Sequence, residues 1–232
     1  DDLRSENTVV LNKMKSWMNY WIENVGIDGM RVDTVKNVPK EFHKEMCFST
    51  DPINPGVRAF AENYGKTNFL MFGEVWTPGS TNEDALAASY TQDEMGNRIM
   101  PSVIHFPMNS VIKEVFANSE KTSLVQELFS NYTNEDYYHP DARPLLVTFV
   151  DNHDMSRFLN GSDENHLKLA LTFIYTSIGI PCVYYGTEQS FHITRASMFK
   201  DGYKGGQIDE RSFNTDSPMY EFIKNLNQLR KS

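Results

Sequence analysis

Gly-Ile-Asp-Gly-Met-Arg-Val-Asp (26–33) is a short apolar run that closes on an acid. The pattern returns in Phe-Gly-Glu-Val-Trp (72–76) and in Phe-Val-Asp-Asn-His-Asp (149–154). An apolar strand that ends in a charged residue carries that charge at its C-terminal end. In a parallel α/β barrel all such ends open on one face, where barrel enzymes do their chemistry.

Working outward from these stretches, strand-like runs fall near 27–33, 68–75, 102–106, 145–151 and 180–185. Helical spacing fills 38–47, 54–64, 82–90, 108–130 and 164–178, and the alternation argues for βα units on a parallel sheet. Before the first strand, Val10, Met14, Trp17, Met18 and Trp21 recur at helical spacing, so both tryptophans are expected to face the core, with Gly26 as the stop. A last helix near 217–230 carries Tyr220, Phe222, Ile223, Leu226 and Leu229 on one face. A closed barrel needs eight strands in roughly 250 residues. Five are visible, so three are expected upstream.

With 232 residues, 40% apolar, the chain has enough material for a sizeable core. A net charge of −9 without a basic cluster disfavours nucleic acid as a partner and suits a neutral substrate. There is no membrane-spanning segment, and the first residues do not read as a signal peptide. Two cysteines, Cys47 in an expected loop and Cys182 in an expected strand, make no disulfide framework. Histidines 43, 105, 139, 166 and 192 lack metal-ligand spacing and read as packing or surface residues.

Two carboxyl groups about 5–5.5 Å apart permit glycosidic cleavage with retention, one as nucleophile and one as acid/base. Neighbouring strands lie about 4.8 Å apart, so Asp33 and Glu74 meet that spacing if their strands adjoin. Arg31, two positions before Asp33, shares its strand face and would hold Asp33 ionised. Glu74 has only Phe72, Val75 and Trp76 beside it in sequence, which favours the protonated form that a general acid needs. Singly, each acid has a plainer reading. Asp33 could cap the helix that follows, Glu74 could be a solvated loop acid, and Asp154 could cap a turn at Ser156.

As an ordered set these motifs resemble the α-amylase family of glycoside hydrolases. Gly-Ile-Pro-Cys-Val-Tyr-Tyr-Gly-Thr-Glu (179–188) matches the last barrel strand of that family. The resemblance implies a (β/α)8 TIM barrel, of which residues 1–232 are the C-terminal five βα units. Strands one to three, the calcium-binding insertion and the C-terminal β-domain would be absent. It implies Asp33 as nucleophile, Glu74 as acid/base and Asp154 as the third catalytic acid. Arg31, Lys36, His153 and Trp76 would contact substrate, with Tyr185 a further stacking candidate. A structural calcium is also implied, with Asp2 and the carbonyl of Asn37 as its ligands in this chain.

Two departures from the family pattern stand out: Asn37 in place of a common histidine, and a short Ser-Phe-His-Ile-Thr-Arg-Ala-Ser (190–197) where many members carry a glycine-rich stretch before an Asn-Arg pair. The segment 200–206 would replace part of that loop. The function implied is retaining hydrolysis of α-1,4-linked glucans, leaning toward true α-amylases, with secretion expected and a cytoplasmic location the alternative. The rivals are an α-glucan transglycosylase with the same residues and a non-catalytic glucan-binding or scaffold relative.

Overall fold

Each of the five apolar runs contains a β-strand, and helical segments separate them, in a computed structural model that describes residues 3–78, 82–134, 137–199 and 213–232. The described residues divide into two compact units, one from 1–104 with 131–147 and one from 105–130 with 148–232.

In the first unit, α1 (Thr8–Val25) leads into β1 (Gly29–Val32). Asn7 caps α1 by accepting from the N–H of Val9, and Gly26 ends it in the left-handed region at φ 75°. After α2 (Lys40–Phe48) and α3 (Val57–Asn63) comes β2 (Leu70–Gly73), then α4 (Glu83–Ala88) and β3 (Ser102–Val103). The strands pair in parallel in the order β1-β2-β3, with Arg31 opposite Phe72 and Val32 opposite Gly73. Ile104 then bridges in parallel to Val147. Gly29 and Gly73 are glycine for want of space. A Cβ at Gly29 would sit 2.7 Å from the Leu70 carbonyl oxygen, and one at Gly73 would sit 2.6 Å from Met100 Sδ. Val35, Val57, Ala61, Met71, Met100 and Val103 are buried in the core of this unit.

In the second unit, α5 (Phe106–Ile112) runs into a π-helical turn at Lys113–Ala117. The sequence reads as one helix over 108–130, whereas the chain breaks after Ala117. Asn118 and Ser119 interrupt it, Ser119 in the left-handed region at φ 59°, and α6 (Ser123–Thr133) begins anew. β4 (Val147–Phe149) begins at the boundary of the units and pairs with β5 (Ile180–Cys182). α7 (Glu164–Thr176), capped by Asp163, and α8 (Pro218–Lys231) pack on each other, and Leu167, Leu171 and Ile174 of α7 and Met219 and Ile223 of α8 are buried.

Two expectations need correction. Trp17 and Trp21 do not face the core; they are 49% and 51% exposed, and the buried positions of α1 are Lys15 and Ile22. The apolar stripe is real, but Met14, Met18 and Trp21 line an open cavity that they share with Phe42 and Met46 of α2, not a closed core. Cys47 lies in α2, not in a loop, and is buried, with its thiol pushed up to about 12. Cys182 is exposed and free. No helix among the described residues is long and apolar enough to cross a membrane.

Candidate active site

β1 and β2 end side by side, and their register carries Asp33 and Glu74 to neighbouring positions just past the sheet. The backbone closes the turn there, because Val35 N–H donates to the Glu74 carbonyl and Glu74 N–H to the Val32 carbonyl. Arg31 spans the two acids. Its Nη1 lies 2.8 Å from Asp33 Oδ1 and its Nη2 lies 3.1 Å from Glu74 Oε1. Glu74 also accepts from the Thr34 N–H at 3.3 Å and shares a hydrogen bond with Asp33.

Their surroundings differ. The Asp33 side chain is 64% exposed and that of Glu74 only 11%. Burial, helped by the hydrogen bond to Asp33, raises the Glu74 carboxyl above its ordinary range, against the opposing pull of the Thr34 N–H and Arg31. The sequence expectation of an apolar setting for Glu74 therefore holds in direction, though a guanidinium unseen in its own strand lies against it. Nor is Asp33 a helix cap, since the 3-10 turn Val35–Asn37 starts at Thr34 with no side-chain cap bond.

Lys36 donates to the Trp76 carbonyl at 2.6 Å, which ties the loop after β1 to the loop after β2. Trp76 is half-buried. Asp2, an expected calcium ligand, lies outside the described residues, as does the segment 200–206. Asn37 closes the 3-10 turn, and among the described residues no group of three or more His, Cys, Asp or Glu could hold a metal.

In the second unit, His153 and Asp154 follow β4. Asn152 takes the turn-forming role that the sequence allows Asp154, since its Oδ1 accepts the N–H groups of Asp154 and Met155. Both oxygens of Asp154 are engaged, Oδ2 with His153 Nε2 at 2.9 Å and Oδ1 with Arg195 Nη2 at 3.0 Å. Beneath them is a pair absent from the sequence expectations. Arg157, with its side chain at 0% exposure, lies 3.8 Å from Asp151 Oδ2. Its guanidinium donates to Thr187 Oγ1 and to the Tyr185 and Ile193 carbonyls, and it packs on the rings of Tyr184, Tyr185 and Phe191. Nothing in the polar segment 151–157 singles out this Asp and Arg from the Asn152, His153, Asp154 and Ser156 between them, and their partner Thr187 lies 30 residues beyond Arg157.

The family described as alpha amylase, catalytic domain, matches residues 1–205. A cyclomaltodextrin glucanotransferase of Thermoanaerobacterium thermosulfurigenes is 33% identical over 231 residues, and an alpha-amylase of Niallia circulans is 32% identical over 232. All of this chain is covered in both, against 28% and 38% of those proteins. The solved cyclomaltodextrin glucanotransferase CldA is 30% identical with a TM-score of 0.73, and the alignment covers 99% of this chain and 42% of that one. The alpha-amylase of Geobacillus thermoleovorans, solved with acarbose, is 26% identical at TM-score 0.72, covering 99% and 46%. The chain thus spans less than half the length of each of these relatives.

Proposed function

This chain belongs to the α-amylase catalytic-domain family, and on that premise we propose that it supplies strands four to eight of a (β/α)8 barrel, residues 1–232 being part of a longer polypeptide that cleaves α-1,4-glucosidic bonds with retention. The observation that carries this reading is the pair Asp33 and Glu74 on adjoining parallel strands, bridged by Arg31. Adjoining strands lie about 4.8 Å apart, which favours the close spacing of a retaining pair, about 5–5.5 Å, over the roughly 6.5–9.5 Å of an inverting pair.

Asp33, exposed and charge-paired, attacks the anomeric carbon, while Glu74, whose hold on its proton burial strengthens, gives that proton to the departing glycosidic oxygen. Glu74 then takes a proton from water as that water displaces Asp33 and restores both residues. In the second unit, Asp154 and His153 hydrogen-bond sugar hydroxyls. Lys36 is a further sugar contact. Trp76 offers a ring to a sugar face. Calcium is proposed on family resemblance alone. Asp2 and the Asn37 carbonyl would contribute ligands, and its role would be to hold structure. Secretion is proposed because a polymeric glucan is met outside the cell.

Reducing-sugar release from maltoheptaose tests the reading, comparing this polypeptide, an upstream-extended form with all eight strands, and Glu74→Gln in the extended form. Activity is expected in the extended wild type alone, with Glu74→Gln lower by orders of magnitude. An unaffected Glu74→Gln would remove Glu74 from the mechanism. The glucanotransferase relatives favour a second reading, transfer of the glycosyl group to another sugar. Longer oligomers formed on adding acceptor sugar would establish it.

A further inference from the structure

The two loops that flank β4 and β5 at one end of the second unit run antiparallel and are laced together by side chains that bond to backbone. His192 Nδ1 meets the Leu159 carbonyl at 2.8 Å, Arg157 Nε the Ile193 carbonyl at 3.2 Å, Thr194 Oγ1 the Met155 carbonyl at 3.0 Å and Arg195 Nε the His153 carbonyl at 2.8 Å. As the chain advances from 192 to 195, its partner retreats from 159 to 153. Phe191, fully buried against Gly186, anchors the start of the lace. Arg195 is its last stitch, and only Arg195 also reaches a side chain with a proposed catalytic role, with Nη2 3.0 Å from Asp154 Oδ1.

We infer that Arg195 is a positioning residue for Asp154. One guanidinium grips the His153 carbonyl and the Asp154 carboxylate together, so the backbone that carries Asp154 and the group itself are fixed as a unit. His153 Nε2 holds the other oxygen of the same carboxylate. Stability does not account for the contact. Arg195 and Asp154 are 67% and 30% exposed, and an ion pair in such a setting contributes at most about 1 kcal/mol. Its effect is on orientation, where a misplacement of about 1 Å can cost on the order of 10²-fold in rate. The arrangement lies in the segment that departs from the family pattern, the shortened loop 190–197. It rests on the proposal that Asp154 serves the glucan reaction.

The test compares steady-state rates on maltoheptaose for the extended protein with Arg195→Ala, Arg195→Lys and Thr194→Val. Arg195 is exposed, so truncating it opens no buried hole. Arg195→Ala is expected to lower kcat by about 10²-fold with little change in KM, the signature of a contact that matters in the transition state. Arg195→Lys keeps the charge but cannot hold carbonyl and carboxylate at once, and should recover part of the rate. Thr194→Val removes a neighbouring stitch without touching Asp154 and should leave kcat near wild type. Wild-type rates in Arg195→Ala would overturn the inference, as would a loss in Thr194→Val equal to that in Arg195→Ala, which would make the residue a loop fastener. An extended wild type inactive on maltoheptaose would instead sink the functional reading, and this inference with it.

Discussion

At Glu74 burial and a cation act in opposite directions, and burial prevails, so the carboxyl keeps its proton above the ordinary carboxylate value of about 4.3. For a general acid this sets the alkaline limb of kcat/KM in the free enzyme. Removing the opposing cation with Arg31→Met should move that limb to higher pH while the plateau falls; a limb that stays put would detach it from Glu74. The same shift has a stability consequence. A carboxyl whose pKa rises on folding costs nothing below the unfolded value, and the cost grows as pH climbs through the folded value. Glu74→Gln should therefore be at least as heat-stable as wild type at pH 7, with the advantage gone below about pH 4. Thermal unfolding at the two pH values checks this. Much of this residue-level picture was legible in the chain itself. Asp33, Glu74 and Arg31 are close in sequence to strand ends whose parallel pairing alternation implies, and pairing does the rest. Arg195 was not, because 41 residues separate it from Asp154 and its position depends on a loop path that no period encodes.

Among the elements, those with a strong period are the ones that could be read from sequence. All five strands and the helices at both termini lie where apolar spacing puts them, each strand shorter than its apolar run. The stretch after Phe106 was misread as one helix because its apolar spacing continues past the turn that Asn118 and Ser119 impose. The Asp151–Arg157 pair was missed for a different reason, since charges in a strand-turn segment read as solvated until burial is known. Burial raises the Asp151 carboxyl above its usual value, and the Phe158 N–H, Arg157 and Thr187 resist that rise. Arg157→Met would leave this acid buried with its cation gone, at a cost of about 3–5 kcal/mol near neutral pH. By the linkage sign used for Glu74, the penalty should shrink as pH falls toward the unfolded carboxylate value. Denaturant unfolding at pH 7 and pH 4 measures it, and an equal loss at both would assign the effect to packing alone. Gly186 governs the neighbouring loop. At φ 84°, with the Phe191 ring against the place where a Cβ would stand, Gly186→Ala should displace Phe191 and weaken the lace that ends at Arg195. The expected result is a lower melting temperature, read by thermal unfolding.

For the molecule as a whole, the first unit leaves open what a core would ordinarily close. β1 pairs with β2 on one side, and among the described residues no strand pairs on its other side. Beside it lies a largely apolar cavity of about 390 Å³, lined by Met14, Met18, Trp21, Met30, Phe42 and Met46. Trp17, Trp21 and Val25 are 49%, 51% and 58% exposed on the adjoining helix. Helical spacing identified this stripe as apolar but could not say what covers it, which is why two tryptophans expected in the core lie at the surface. An unpaired strand edge beside an apolar trough is a template for association with other chains. If residues 1–232 are part of a barrel, adding the upstream strands should cover both. The 232-residue polypeptide is then expected to self-associate on size exclusion and to bind a hydrophobic dye. The extended protein should be monomeric, bind little dye and show blue-shifted tryptophan emission as Trp17 and Trp21 leave water. A short polypeptide that is monomeric and dye-silent, with the emission of its extended form, would mean that this surface stands open in the native protein, and the eight-strand proposal would have to be abandoned.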